Sequence, residues 1–452
     1  MTPDPDSLQS VESSGGQRPR DRSAELLERA KRVIPEAAQT NSKSPSQWVR
    51  GVAPTHLVRG EGGHVWDADG NEYIDYVSSL GPIVLGHDYP PVSEAAADRV
   101  RGGTTLSMPH PLQVEVAERL VETVPCAEMV RFAKNGHDAT DLATKVMRAA
   151  TDGDVIATQG YHGWTDQWLF DSDLDRGIPD VDYRLRGFDY DDLASLEAVF
   201  DAHGDDVAGV MTTPVNRSPP EGDFLRRVRE LCDDHDALLA YDEILTGFRL
   251  APGGAGEYFG VDPDLACFAK AMANGYPISA VAGYRDVMEV IERDDFFFSM
   301  TYAGETVSLA AAKATIDVLR EEPVHDRLFA VGRRLREGYT EIAAAHGLED
   351  CTHAYGLAPM FAVDFVDPPE TDTDARYVES LFAQACLDRG VLFSGNHLPN
   401  YSHTDADVER TLEVYDAAMG ELADALAADA VRERLRGAPV GASIRERTGE
   451  DD

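Results

Sequence analysis

Four short apolar runs decide the fold: MVRFAK at 129–134, DVIATQ at 154–159, VAGVMTTPV at 207–215 and ALLAYDEI at 237–244. Each is too short for a packed helix and each is bounded by polar or turn residues, which predicts strands buried on both faces. Amphipathic stretches at 92–101 and 112–124 precede them. Strands alternating with helices of ~10–15 residues predict an α/β architecture, a mostly parallel sheet covered by helices. The same regime runs on through LACFAK (265–270) and ISAVAGY (278–284) to an Ala-rich helix at 307–319. A helix near 326–346, strands MFAVDFV (360–366) and GVLFSG (390–395), and a last helix from Asp405 towards Ala427 follow. Upstream, Ser23 opens a helix that Pro35 ends, and HVWDADGNEYIDYVSSLG (64–81) reads as two strands around an Asp69-Gly70 turn.

This pattern divides the chain into a tail at 1–22, the N-terminal part of a small α+β domain at 23–88, and a large domain at 89–324. The C-terminal part of the small domain follows at 325–436, then a polar tail at 437–452. Residues 1–22 are polar and rich in Gly, Pro and Ser, which predicts disorder.

Composition narrows the function. The 452 residues carry 81 acidic and 41 basic side chains, a formal net charge of −40, with 43% hydrophobic residues. That apolar fraction excludes a disordered chain, and so anionic a surface argues against nucleic acid or anionic lipid as partners. Only six of the basic residues are Lys against 35 Arg, a balance resembling that of proteins from salt-loving organisms. Five cysteines without a C-x-x-C pair predict buried, reduced thiols, and no apolar run of spanning length is present. The N-terminal stretch lacks the apolar core of a signal peptide, so a cytoplasmic protein is expected.

Three stations carry chemistry. Asp242 and Glu243 close the ALLAYDEI strand, and in an open α/β sheet ligands bind beyond the carboxyl ends of strands. Lys270 ends the next apolar run, 28 residues later. Asn135-Gly136-His137 precedes the helical stretch DATDLATKVMRAA, and a turn opening onto a helix N-terminus offers free N–H donors to a phosphate. A phosphate cradle, a lysine and a carboxylate are the set that pyridoxal phosphate requires: the amine to form a Schiff base, the carboxylate to keep the pyridine nitrogen protonated. Taken singly, each piece has a plainer reading: a helix cap, a snorkelling surface Lys, an ordinary turn. Tyr161-His162-Gly163-Trp164 likewise reads either as site aromatics or as core residues with a satisfied histidine.

Order and spacing bring a family into view. From about Gly51 to Leu422 the chain resembles the fold type I, class III pyridoxal-phosphate aminotransferases, in particular the group similar to glutamate-1-semialdehyde aminomutase. The resemblance rests on VWDADGNEYIDY, Gly86-His87, NGHDAT, GYHGW, FLRRVRELCDDHDALLAYDEILTGFR, PDLACFAKAMANGYPISAVAG and TYAGETVSLAAAKAT. It implies Lys270 as the Schiff-base lysine and Asp242 as the partner of the pyridinium nitrogen. Asn135, Gly136 and His137 fall on the phosphate turn, Tyr161 on the ring-stacking aromatic with His162 beside it. Thr301 falls on the threonine that reaches the phosphate of a neighbouring subunit, which implies a homodimer with shared active sites. Small-molecule amino donors and carbonyl acceptors are the implied partners, and no metal is.

The chain departs from the family pattern at three places. His137 stands where a hydroxyl residue is usual, and Thr213-Pro214 replaces Glu-Pro. The segment from Ser394 to Thr404 lacks the aminomutase's Glu, which favours an ordinary intermolecular aminotransferase over an intramolecular aminomutase. A catalytically lapsed cofactor-binding protein is the third reading. Asn396 and His397 are substrate-side candidates, His397 equally a structural loop histidine, and Arg249, Arg217 and Arg50 are carboxylate clamps or surface ion pairs.

Overall fold

The computed structural model describes residues 18–170, 172, 174–369 and 373–441. The described residues divide into two compact units, one of residues 81–84 and 89–325, the other of residues 18–80, 85–88, 326–369 and 373–441.

The first unit is built on a seven-stranded sheet. Across it lie Met129–Ala133, Ser279–Gly283, Leu265–Phe268, Leu238–Asp242, Val207–Thr212, Val155–Gln159 and Leu185–Gly187, in that order. Adjacent strands run parallel from Leu265–Phe268 to Leu185–Gly187. Ser279–Gly283 is the exception, antiparallel to both neighbours. About ten residues join it to Leu265–Phe268, too few for the crossover that a parallel return requires.

Side-chain alternation assigns the two faces. Ile156, Ala208, Ala240, Leu265 and Val281 pack with Leu142, Val146 and Met147 of the helix Gly136–Ala150. Val155, Ala157, Val210, Leu239 and Tyr241 pack on the other side with Leu196, Val199 and Phe200 of Leu193–His203 and Val228 and Cys232 of Phe224–Asp234. Those helices form because their apolar residues recur at helical spacing, and Asp192 caps the first by accepting from the N–H groups of Ala194 and Ser195. Both faces are therefore dry, and all six residues of Val207–Thr212 are buried. The expected mostly parallel α/β sheet is what the chain forms.

The second unit joins both ends of the described chain. Leu57–Glu61, His64–Asp67 and Glu72–Asp75 form an antiparallel meander, and Val391–Leu392 adds to it in parallel beside Glu72–Asp75. The turn at Asp69-Gly70 is built as its sequence predicts. Asp67 Oδ1 accepts from the N–H groups of Asp69 (2.9 Å) and Asn71 (2.8 Å), and Gly70 takes a φ of +87° that disfavours any side chain. A second sheet pairs Thr352–Leu357, Met360–Phe365 and Asn396–His397. Helices Val324–Ala345, Ala375–Asp388 and Asp405–Ala427 bury a core that includes Tyr339, Phe382, Tyr415 and Leu422.

Residues 18–22 and 437–441, expected in the tails, are part of the described structure. Arg18 is buried, donating to the carbonyls of Glu72 (2.7 Å) and Asp388 (3.2 Å), and the first helix, Asp21–Lys31, begins two residues earlier than Ser23. At the other end the N–H of Gly441 donates to the Ser46 carbonyl at 2.7 Å. The expected tail residues 1–17 and 442–452 lie outside the described residues. All five cysteines are buried free thiols. Among the described residues no helix is long and apolar enough to cross a membrane, and no cluster of His, Cys, Asp and Glu could hold a metal ion.

Candidate active site

The parallel register sets one edge of the sheet. Gln159 pairs with Thr212, Thr212 with Tyr241 and Asp242 with Cys267, so the carboxyl ends of four strands finish together. Met129–Ala133, antiparallel to Ser279–Gly283, ends at the same edge with Ala133 opposite Ser279. Residues 134–137, 160–163, 213, 242–244 and 269–270 therefore emerge side by side, where ligands bind in sheets of this kind.

Asp242 is 5% exposed, and both of its oxygens are engaged. Oδ1 accepts from the N–H of Ile244 at 3.0 Å and Oδ2 faces His162 Nδ1 at 2.8 Å. Where Asp242 is a carboxylate it only accepts, and the shared proton then belongs to His162 Nδ1. His162 is fully buried at its side chain, its ring edge-on to Trp168 at 4.9 Å, its carbonyl accepting from Thr140 at 2.7 Å. Each carboxylate oxygen has capacity for a further donor.

Lys270 follows Leu265–Phe268 with a φ of +36°, and Asn274 four residues on is left-handed at +46°. Non-glycine residues in this region cost ~1–2 kcal/mol, a strain that collects at functional sites. Ala271, Met272 and Ala273 behind Lys270 are fully buried and hold the conformation in place.

The turn at 135–137 opens the 15-residue helix Gly136–Ala150. Asp138 Oδ2 accepts from the N–H of Asn135 at 2.6 Å, so the cap is closed by the third helical residue, while Ser279 Oγ donates to the Asn135 carbonyl at 2.7 Å. A Cβ on Gly136 would stand 2.9 Å from Ile244 Cδ1, two residues from Asp242. His137 packs edge-on to Trp164 at 5.4 Å, and its Nε2 lies 3.3 Å from Asp138 Oδ1. Gly163, at φ +142°, passes so close that a Cβ would stand 2.5 Å from that of His137.

Gln159 and Asp141 were not legible in sequence, and Glu243 was legible only as a strand-end acid. Gln159 Oε1 accepts from the hydroxyls of Thr212 (3.0 Å) and Thr213 (3.3 Å), so a neutral amide stands beside the position where the family pattern has a carboxylate. Asp141 Oδ1 gathers Thr165, Gln167 and Trp168, which fixes the loop after Tyr161 and His162. Glu243 is wholly buried, accepting from Thr246 Oγ1 (2.5 Å) and the N–H of Gly256 (3.0 Å).

Tyr161 emerges at this edge and is exposed; the other candidates lie elsewhere. Thr301, also exposed, lines a groove of about 1130 Å³ beside helix Pro111–Thr123. Asn396 is exposed in the second unit. His397, also there, is 1% exposed, stacked on Phe361 at 4.4 Å with Nε2 2.5 Å from the Tyr415 hydroxyl. Burial pushes it down to about 4. A neutral ring closed in a core offers nothing to a substrate, so His397 is structural. Arg249 is likewise fully buried, donating to the Gly81 carbonyl at 2.9 Å, so it forms no surface ion pair.

A strand-end lysine, a buried carboxylate with acceptor capacity left and a helix N-terminus at one sheet edge fit pyridoxal phosphate, and together they define a pyridoxal-phosphate-dependent transferase of fold type I. Comparison with known proteins agrees: the model of the class-III aminotransferases matches residues 47–419, and the chain belongs to that family. It is 37% identical to the 3-aminobutyryl-CoA aminotransferase of Cloacimonas acidaminovorans (89% of this chain, 97% of that one). It is 34% identical to the glutamate-1-semialdehyde 2,1-aminomutase of Natronomonas pharaonis (88% and 99%). Among solved structures it resembles the pyridoxal-phosphate form of the FumI protein of Sphingopyxis sp. MTA144, at a TM-score of 0.83 and 33% identity (90% and 97%). The protein is thus a pyridoxal-phosphate-dependent transaminase.

Proposed function

We propose that the enzyme is an intermolecular aminotransferase, passing an amino group from a small-molecule donor to a carbonyl acceptor. The observation that carries this reading is the strained Lys270 at the strand end next to Asp242, whose carboxylate is held by His162. Bound pyridoxal phosphate supplies the electron sink for charge that develops at the substrate's Cα. Lys270 would hold the cofactor covalently and, as a free amine, would move the proton at the substrate's Cα. Asp242 would pair with the pyridine nitrogen, and the His162 contact at 2.8 Å holds the carboxylate in orientation. Gly136 and His137 would present helix N-terminal donors to the phosphate, Asn135 capping the turn through its N–H to Asp138, and Tyr161 would cover the ring. Asn396 is the remaining substrate-side candidate.

The absence of the aminomutase's Glu from 394–404 supports transfer between molecules, as does a 37% identical relative named as an aminotransferase. The aminomutase name of other relatives favours the second reading, intramolecular transfer. Titrating the coloured holoenzyme with glutamate, alanine or amino sugars, then adding a carbonyl acceptor, decides between them. Bleaching by one donor and recovery by an acceptor, with ¹⁵N passing to the acceptor, is the expected result. Product formed from one substrate without an acceptor, with ¹⁵N retained in it, would establish the aminomutase instead.

The working assembly on this reading is a homodimer, with a second copy of the chain covering the groove that Thr301 lines beside exposed Leu106 and Met108. A monomer by light scattering at micromolar concentration would exclude it. The net charge of −40 and the scarcity of Lys support a salt-adapted enzyme, and the five buried free thiols support a reducing, cytoplasmic setting.

A further inference from the structure

Lys134 stands at a junction that the proposed chemistry does not use. It directly precedes the 135–137 turn, and its backbone N–H shares the Asp138 carboxylate with Asn135. Its side chain reaches the other way. Nζ donates to the Pro277 carbonyl at 2.6 Å, to Glu305 Oε1 at 2.8 Å and to Ser308 Oγ at 3.3 Å, one acceptor for each ammonium hydrogen. The two charged side chains are only 15% and 12% exposed.

Those acceptors come from the segments that flank the site. Pro277 closes the turn that starts at Lys270. Glu305 ends the segment that carries Thr301 and caps the helix Thr306–Glu321, accepting from the N–H groups of Val307 and Ser308 at 2.9 Å each. Two further cations from the same strand and helix secure the preceding stretch. Arg131 donates to the Phe298 carbonyl at 3.1 Å and Lys145 to the Phe297 carbonyl at 2.6 Å. Two of the six lysines in this arginine-rich chain thus serve this one attachment.

We propose that Lys134 is a positioning residue for cofactor capture. By holding Pro277, Glu305 and Ser308 at once, it fixes the 135–137 turn against the Lys270 turn and the Thr301 segment, so that the phosphate donors are set before the cofactor arrives. This rests on reading the 135–137 turn as the phosphate site. Its signature is selective: loosening the turn penalises the phosphorylated cofactor more than pyridoxal, which has no phosphate to place.

The test titrates apoenzyme with pyridoxal phosphate and with pyridoxal, followed by the visible circular-dichroism band, in the parent, Lys134→Met, Glu305→Gln and the double variant. Lys134→Met should weaken pyridoxal phosphate binding by ~10–100-fold, as ångström-scale misplacement does, while pyridoxal binding stays within ~3-fold. Glu305→Gln should show part of that loss, and the double variant should be no worse than Lys134→Met because the two share one interaction. Unchanged affinity for pyridoxal phosphate, or equal losses for both compounds, overturns the proposal, and Glu305→Gln decides alone if Lys134→Met does not fold. Gly136→Ala separates the underlying reading: a preference for the phosphorylated cofactor that survives it means the turn is not the phosphate site.

Discussion

Replacing Glu243 by glutamine should remove the loss of stability that this buried carboxyl imposes as pH rises from about 4.5 to about 7. The carboxyl is wholly buried, and burial pushes it up from an ordinary 4.5 to about 7, against the hydrogen bonds from Thr246, Ala255 and Gly256 that favour the anion. Between those two values the folded chain keeps a proton that the unfolded chain has released. The contribution is therefore fully present below pH ~4.5 and lost as pH rises through ~7. A gap of about 2.5 units at 1.36 kcal/mol each corresponds to ~3 kcal/mol. Glutamine keeps the shape and the acceptor for the Gly256 N–H, and its amide donates to Thr246 Oγ1, whose hydroxyl can rotate. Guanidinium unfolding of both proteins across about pH 4.5 to 8 at constant salt gives the difference directly, since all other carboxylates titrate alike in the two. The variant should gain ~3 kcal/mol on the parent across that range. Parallel curves would refute the reasoning, because they would mean that Glu243 is ionised throughout in the fold.

Other outcomes follow from the same geometry. Lys270→Ala should abolish turnover, and retained transamination by that variant would remove Lys270 from its role. Asp242→Asn should lower kcat by at least ~100-fold in steady-state assays, with the cofactor still bound. Gly332→Ala should destabilise by about 3 kcal/mol or more, because the added Cβ would lie 1.7 Å from the Ala358 carbonyl oxygen, whereas Gly187→Ala, facing open space, should stay within ~0.5 kcal/mol. The melting temperature should rise with molar KCl, as cations screen the mutual repulsion of 81 acidic side chains; a flat profile would end the salt-adapted reading.

What could be read from sequence followed from local signals. Buried parallel strands announce themselves as apolar runs, and Lys270 and Asp242 were conspicuous as charges at the ends of such runs. The helix Asp405–Ala427 was found because its caps and its period agree. Ala375–Asp388 was not found, although Arg376, Ser380, Gln384 and Asp388 recur at helical spacing along it; every residue from Ser380 to Asp388 is buried. Thr352–Leu357 lacks alternation, as most of its residues are half-buried, and it too went unseen. The contacts that join distant segments were invisible as well. Lys134 meets Glu305 across 171 positions, and Gln159 meets Thr213 across 54; nothing local in either residue signals its partner. His397 misled because a histidine in a loop-like stretch looks available, whereas its neighbours Phe361 and Tyr415 come from elsewhere in the chain.

The parallel pairing of Glu72–Asp75 with Val391–Leu392 has a bearing on how the chain is made. About 320 residues separate the two strands, so at ~5–20 residues per second a ribosome needs roughly 16–60 s to deliver the second after the first. The meander of Leu57–Asp75 must wait through that interval with an open edge and an unfilled apolar face, while the seven-stranded sheet can close as soon as Gly283 has left the exit tunnel. Nascent chains halted near residue 330 should therefore carry a protease-resistant sheet domain beside a digestible amino-terminal stretch, which makes that stretch the natural place for a chaperone to hold.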